Sequence, residues 1–176
     1  MSEHGTILKL KKCVLLKGMS SEELDAVFRL TESEDFEASE EILTEGLAYQ
    51  SLWVIVTGQC EVVKSGNGDA PNRLAQLEEG SVFGEMSFFE EAPHSASVRA
   101  LTDVSTMRLT RRQFEQLRTI CPSAADKIAC NLVSILSERL RRMDEWTCQL
   151  VEGNCSEHQH AEWQEFRAKL YAGLQF

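Results

Sequence analysis

The chain has 176 residues, with 18 basic against 28 acidic side chains and a formal net charge of −10. That length fits one domain with a short appendage, and 43% hydrophobic with 26% charged residues excludes collagen-like, mucin-like and wholly disordered chains. The acidic balance argues against a general nucleic-acid binder, which needs basic surface to displace counterions from phosphates.

Apolar runs such as Cys13–Leu16 and Leu52–Val56 are four and five residues long, against about 20 for a membrane span and about 7–15 for an export signal. The chain reads as cytoplasmic, with no membrane partner and no direct nucleic-acid partner. Its six cysteines then count as reduced thiols. Cys60, in an apolar strand pattern, and Cys130, in a helix pattern, read as small buried hydrophobes.

In chain order, Leu8, Leu10, Leu15 and Leu16 interleave with Lys9, Lys11, Lys12 and Lys17, a short helix or packed arm with a lysine-rich solvated face. Ser20 and Glu23 form a capping box that opens a helix carrying Leu24, Val27, Phe28 and Leu30. The segment 1–33 is thus an N-terminal helical unit. From 34 to 109 the rhythm changes to short β-branched and aromatic runs near 34–38, 41–44, 51–57, 59–65, 73–78, 96–102 and 104–109, with a further strand ending at Phe83. Gly46, Gly58, the Gly66–Asp69 tip and Gly80 punctuate them. Short strands at even spacing, without alternating helices, predict a sandwich or closed roll.

The segment 110–152 is helical again. Thr110 caps a short helix, Cys121-Pro122-Ser123 interrupts it, and a long amphipathic helix of about 42 Å follows, at ~1.5 Å per residue. Ile128, Leu132, Ile135, Leu136, Leu140, Met143 and Leu150 form its stripe, and Gly153 ends it. A helix this long points to a homodimer packed through it. Residues 153–176 read as a polar link and a short docking helix with Trp163, Phe166, Leu170 and Leu174 on one stripe. About 26 residues after Leu150 are too few for a winged helix-turn-helix DNA-binding domain.

The segment richest in chemistry is Gly80–Ala100. A strand ends at Phe83, Gly84-Glu85 begins a single helical turn, and a Pro93 loop returns the chain to a strand. Backbone N–H groups at such a turn, at Met86 and Ser87, can meet an anion. Gly84 permits close approach, Glu85 can accept from a ribose hydroxyl, and Ser95 and Ser97 can donate to phosphate oxygens. Cys148, Cys155, His158 and His160 match no common structural zinc spacing, so no metal is expected. Arg108, Arg111, Arg112, Arg118, Arg139, Arg141 and Arg142 have Glu115, Glu138, Asp144 and Glu145 as neighbours, the pattern of solvated paired faces. No GxSxG, Walker or HExxH motif is present, which predicts a non-catalytic protein without cofactors.

Leu52–Gly58, Phe83-Gly84-Glu85-Met86, Ser95–Ala100 and the long helix after Pro122, in that order, resemble the cyclic nucleotide-binding domain family, whose members include the catabolite activator protein. The resemblance runs from about Leu16 to Leu150. It implies a mainly β fold with flanking helices, an eight-stranded β-roll or jelly roll with N-terminal, cassette and long C-terminal helices. It places a phosphate-binding cassette at 83–98 and a hairpin after Leu52–Thr57. It implies a regulatory domain sensing cyclic AMP or cyclic GMP and signalling through the long helix to an unknown protein partner. Gly84, Glu85, Met86, Ser87, His94, Ser95 and Ala96 become the ligand site, with Leu136, Arg139 and Leu140 as candidates to cover the base.

The family's cassette carries an arginine against the cyclic phosphate where this chain has His94. Three accounts follow: a protonated His94 as a weaker phosphate donor, another cation such as Arg139 or Arg99 in its place, or a pocket serving another ligand or none. In the last case the roll is a dimerisation or protein-interaction module.

Overall fold

A computed structural model describes residues 10, 13–66, 72–154 and 163. A 3-10 turn at Val14–Leu16 leads into α1 (Ser21–Leu30), followed by β1 (Glu32–Phe36), β2 (Glu41–Leu43), β3 (Ser51–Thr57), β4 (Cys60–Lys64), β5 (Asn72–Leu77) and β6 (Val82–Phe83). Then come α2 (Glu85–Phe88), β7 (Ser97–Ala100), β8 (Val104–Thr110), α3 (Arg111–Ile120) and α4 (Pro122–Asn154). The strands form two four-stranded antiparallel sheets, ordered β1-β8-β3-β6 and β2-β7-β4-β5. The predicted β-roll with flanking helices is the observed architecture.

Both predicted helix starts have a local cause. Ser20 Oγ accepts from Glu23 N–H while the Glu23 carboxylate accepts from Ser20 N–H. Thr110 and Gln113 repeat the device at α3. Each box satisfies backbone donors that the first helical turn leaves unpaired.

β3 is buried along nearly its whole length. Trp53 and Ile55 face the roll interior with Leu43, Cys60, Phe83, Val98, Ala100 and Val104. By the strand's alternation Leu52, Val54 and Val56 face the other way, and they are equally buried. On that side Val56 and Met107, with Leu10 and Phe28, line a cavity of about 410 Å³. A strand covered on both faces explains the continuous apolar run Leu52–Val56.

Three expectations need correction. Gly58 does not turn a hairpin within one sheet, because β3 and β4 belong to different sheets. It has φ +90°, and a Cβ there would lie 2.3 Å from the Asp103 carbonyl oxygen, so the crossover is closed to larger residues. Cys60 is fully buried and its thiol is pushed up to about 11 by that burial, but Cys130 is exposed. The buried stripe of α4 is Ala124, Ala125, Ile128 and Leu132, and Cys130 stands two residues from the last two, on the opposite side of a 3.6-residue turn. Finally, α4 runs past Gly153 to Asn154.

Two compact units are distinguished, residues 1–133 and 134–176. In the first, Leu10, Cys13, Leu15 and Leu16 are buried and Lys17 is exposed; Leu8, Lys9, Lys11 and Lys12 lie outside the described residues. Asn131 Nδ2 donates to the carbonyls of Leu15 and Lys17, and Lys127 Nζ donates to the Glu23 carboxylate at 2.6 Å. The second holds the exposed pairs Arg141–Glu138 and Arg142–Glu138. Of the expected docking helix only Trp163 is described, helical and half-buried; Phe166, Leu170 and Leu174 lie outside the described residues. Among the described residues no helix is long and apolar enough to cross a membrane.

The hydrogen bonds from Lys127, Ser20 N–H and Ser123 hold the Glu23 carboxyl at about 2, below its ordinary 4.5. A depressed carboxyl stabilises the fold fully above the ordinary value and loses that contribution as pH falls toward the folded one. Thermal melts between pH 6 and pH 2.5 are therefore expected to show a loss of stability beginning near 4.5 that is smaller in Lys127→Met. An identical pH profile in the variant would refute this role for the Glu23–Lys127 pair.

Candidate functional site

The cassette begins where Phe83 stacks flat on Trp53, ring centroids 5.5 Å apart and planes within 2°. Gly84 then turns with φ +83° and ψ 2°. A Cβ at this position would meet the Ser51 carbonyl oxygen at 2.5 Å and the Trp53 ring at 2.9 and 3.0 Å. Gly84 is thus required by the fold's own backbone, beyond any approach by a ligand. Trp53 is itself pinned: its Nε1 donates to Glu34 at 3.0 Å, and Arg108, paired with Glu34 at 2.7 Å, lies 5.5 Å over its ring.

The left-handed turn starts the four-residue helix α2. Glu85 and Ser87 are buried, while Met86 is exposed. Phe88, fully buried, makes edge contacts with Phe89 at 5.0 Å and Phe114 of α3 at 5.5 Å. Arg111 of α3 lies 5.0 Å over Phe89 and pairs with Glu115 at 2.6 Å. One side of the cassette is therefore packed on the helix that follows the roll. Sequence spacing carried no sign of this aromatic cluster, whose members come from two separate elements.

The return loop is stitched to residues 45–50. Gly46 N–H donates to the His94 carbonyl, and His94 N–H donates to the Leu47 carbonyl, each at 2.9 Å. Glu45 N–H donates to Ser97 Oγ at 2.9 Å. The Glu45 carboxylate accepts from Ser65 N–H at 2.8 Å, which holds it below the ordinary carboxyl value. Ser95 is exposed, its hydroxyl donating to Met86 Sδ at 3.6 Å, and Ala96 is half-buried beside it.

His94 is only 5% exposed. Its Nε2 accepts from Tyr49 N–H at 3.3 Å, and its Nδ1 lies 3.1 Å from Ser87 Oγ. A ring nitrogen that accepts carries no proton, so the proton of the neutral ring sits on Nδ1 and is donated to Ser87. Burial lowers the imidazole below its ordinary 6.5, outweighing the upward pull of the Glu85 carboxylate. Protonation would also set two N–H groups against each other at Tyr49. The Tyr49 ring lies 5.7 Å from the imidazole, tilted by 38°. Both nitrogens are thus held by partners within the protein.

The structure brings Gly84, Glu85, Met86, Ser87, His94, Ser95 and Ala96 together. Arg99 points away from the interior residue Val98 and donates to Glu61 across β4 at 3.0 and 2.5 Å, with Arg73 3.6 Å from the same carboxylate. Leu136, half-buried, and Arg139 and Leu140, exposed, stand on α4 in the second unit. Cys148 is half-buried on the same helix, and Cys155, His158 and His160 lie outside the described residues.

His94→Ala removes two internal hydrogen bonds, a loss of about 1–3 kcal/mol. The wild-type contribution is full above pH 6.5 and falls as pH drops through that value toward the lower folded one, because the unfolded imidazole takes the proton first. Chemical denaturation at pH 7.5 and 5.5 is expected to show this difference in the wild type and not in the variant, with faster amide exchange at 45–50 in the variant.

The family model for the cyclic nucleotide-binding domain matches residues 33–120, half of the chain. The Cyclic AMP receptor protein of Thermus thermophilus is 29% identical over 135 residues, covering 77% of this chain and 61% of that relative. A cAMP-dependent protein kinase regulatory subunit of Mucor circinelloides is 32% identical over 108 residues, 61% of this chain and 25% of that one. The chain thus spans less than two thirds of the length of either relative. The crystal structure of a cyclic nucleotide-binding domain from Methylobacillus flagellatus superposes with a TM-score of 0.73 at 25% identity, over 88% of this chain and 85% of that structure. With the β-roll, the Gly84-Glu85 turn and the return through Ser95–Ala100 all in the matching order, this chain belongs to the cyclic nucleotide-binding domain family.

Proposed function

We propose that the chain is a regulatory module that takes cyclic AMP or a related ribose-bearing ligand in its cassette and signals through its helices. The observation that carries this reading is the buried carboxylate of Glu85, set by the Gly84 turn at the head of a cassette that packs on α3 through Phe88 and Phe114. Glu85 accepts from the ribose 2′-hydroxyl. Backbone N–H groups at Met86 and Ser87, with Ser95 and Ala96, frame the adjoining part of the ligand. A ligand that draws in α2 moves Phe88 and Phe89, and with them Phe114 and α3, so occupancy biases how the helices pack.

A second observation favours a homodimer through α4. Leu136, Leu140 and Met143 follow each other at four- and three-residue steps, with Leu140 49% and Met143 59% exposed. That is the spacing of a coiled-coil seam. The signal would then reach a partner through the arrangement of two long helices.

Cyclic AMP, cyclic GMP and their parent nucleosides are to be screened by thermal shift, with amide exchange on α3 and α4 as the second readout. At least one ligand is expected to raise the melting temperature and alter exchange in α3, and Glu85→Ala to weaken its binding tenfold or more. No response to any of them would reject the ligand-sensing reading. Sedimentation equilibrium is expected to find a dimer that Leu140→Glu with Met143→Glu converts to monomer; a monomeric wild type would end the dimer proposal.

A further inference from the structure

On the side of β3 away from the roll interior lies the cavity of about 410 Å³ beside α1. Its floor is apolar: Leu10, Val56 and Met107, all buried, with Phe28 of α1 as a wall. Its edge on the sheet is polar. Ser33 and Asp35 of β1 pair in register with Met107 and Ser105 of β8, so these four side chains share one face of the sheet. The charged residues that line the cavity, Glu32 and Asp35, are both acidic. None of the described cassette residues lines it.

Several polar groups around the cavity are already used within the protein. Thr31 Oγ1 donates to the Phe28 carbonyl, and Thr106 Oγ1 to the Glu34 carbonyl. Glu32 alternates to the other face of β1, and its Oε1 accepts from Gln113 Nε2 of α3 at 2.7 Å. Glu34, on that same other face, is paired with Arg108. Asp35 differs from both. It stands on the cavity's face, and its Oδ1 accepts from Ser105 Oγ at 2.5 Å. A carboxylate has about four acceptor positions, so one neutral donor leaves Oδ2 able to accept more. Among the described residues Asp35 forms no ion pair.

We infer that this cavity is a ligand site separate from the cassette, and that it takes a small organic amine. The apolar body lies over Val56 and Met107 against Phe28, and the ammonium donates to Asp35. The volume falls at the small end of the roughly 300–1,000 Å³ of small-molecule sites, which suits one ring on a short chain. Charge sets the class of ligand. An ammonium gains a charge-assisted hydrogen bond at Asp35, whose direction Ser105 fixes from the other oxygen. A carboxylate or phosphate meets an acid with no basic residue in the lining, and the net charge of −10 repels it further. A neutral body of the same shape keeps only the apolar contact.

The test is calorimetric titration of the full chain at pH 7.5 with three probes that share one body: phenylbutylammonium, phenylbutanol and phenylbutyrate. The ammonium is expected to bind about tenfold tighter than the alcohol, the margin of a charged over a neutral hydrogen bond, and the carboxylate not to bind. Asp35→Asn, whose amide oxygen still accepts from Ser105, is expected to bring the ammonium down to the alcohol's affinity and leave the alcohol unchanged. Glu145→Gln, which removes the same charge from an exposed position on α4, is expected to change neither. Ser33→Trp, at an exposed position on the cavity's edge and checked for folding by its melt, is expected to block both. An ammonium no tighter than the alcohol overturns the cationic class. Ammonium binding that Asp35→Asn and Ser33→Trp leave unchanged overturns the site, and failure of all three probes to bind overturns the inference as a whole.

Discussion

Phe83, Gly84 and Trp53 share a space with no room to spare. The flat stack of Phe83 on Trp53 brings the next residue against that indole and the Ser51 carbonyl, where even a methyl group collides. The backbone can leave this contact only by a left-handed turn, and the turn starts α2 with Glu85 directed into the protein. Every polar feature of the cassette follows from that exit. Trp53 serves as the reference surface, held from the far side by Glu34 and Arg108. An ion pair on β1 and β8 therefore bears on the geometry of a loop that neither strand touches in sequence.

The parts legible in the sequence are those whose causes are local. Ser20 with Glu23 and Thr110 with Gln113 act across three residues, so both helix starts could be read directly. The apolar run of β3 carried its own signal because both of its faces are buried. Matters decided at long range were read less well. Gly58 looks the same whether it turns a hairpin or passes the chain between sheets, and Asp103, which makes the choice, is 45 residues away. His94 could be placed at the arginine's position by resemblance, yet its ring is claimed by Tyr49, also 45 residues distant. Cys130 sits among apolar neighbours in sequence and outside their stripe in space, because a helix turns 100° per residue whatever the local composition.

The electrostatic arrangement follows one pattern. Charges on the strands and helices are matched in pairs with at least one exposed or half-exposed partner, as at Glu61 with Arg99 and Arg73, or Glu115 with Arg111 and Arg118. The loop around His94 is held instead by neutral donors and acceptors, backbone to backbone and backbone to ring. Paired surface charges tolerate salt poorly but cost little to separate, whereas buried neutral bonds are insensitive to salt and costly to leave unmade. The cassette's shape should thus hold across ionic strengths that loosen the outer pairs.

The doubly covered β3 sets a mechanical limit on any signal. Leu52, Val54 and Val56 are buried away from the roll interior, and Leu10 and Phe28 lie on that side with Val56. Uncovering three such side chains costs about 5–9 kcal/mol at about 1.5–3 kcal/mol each, more than the 1–3 kcal/mol by which one site usually biases another. The helical segments on that face can slide or tilt, but they cannot lift away. The apolar face of β3 left bare by such a lift would be a patch open to association with other chains. The same surface that forbids a large stroke therefore protects the protein against aggregation.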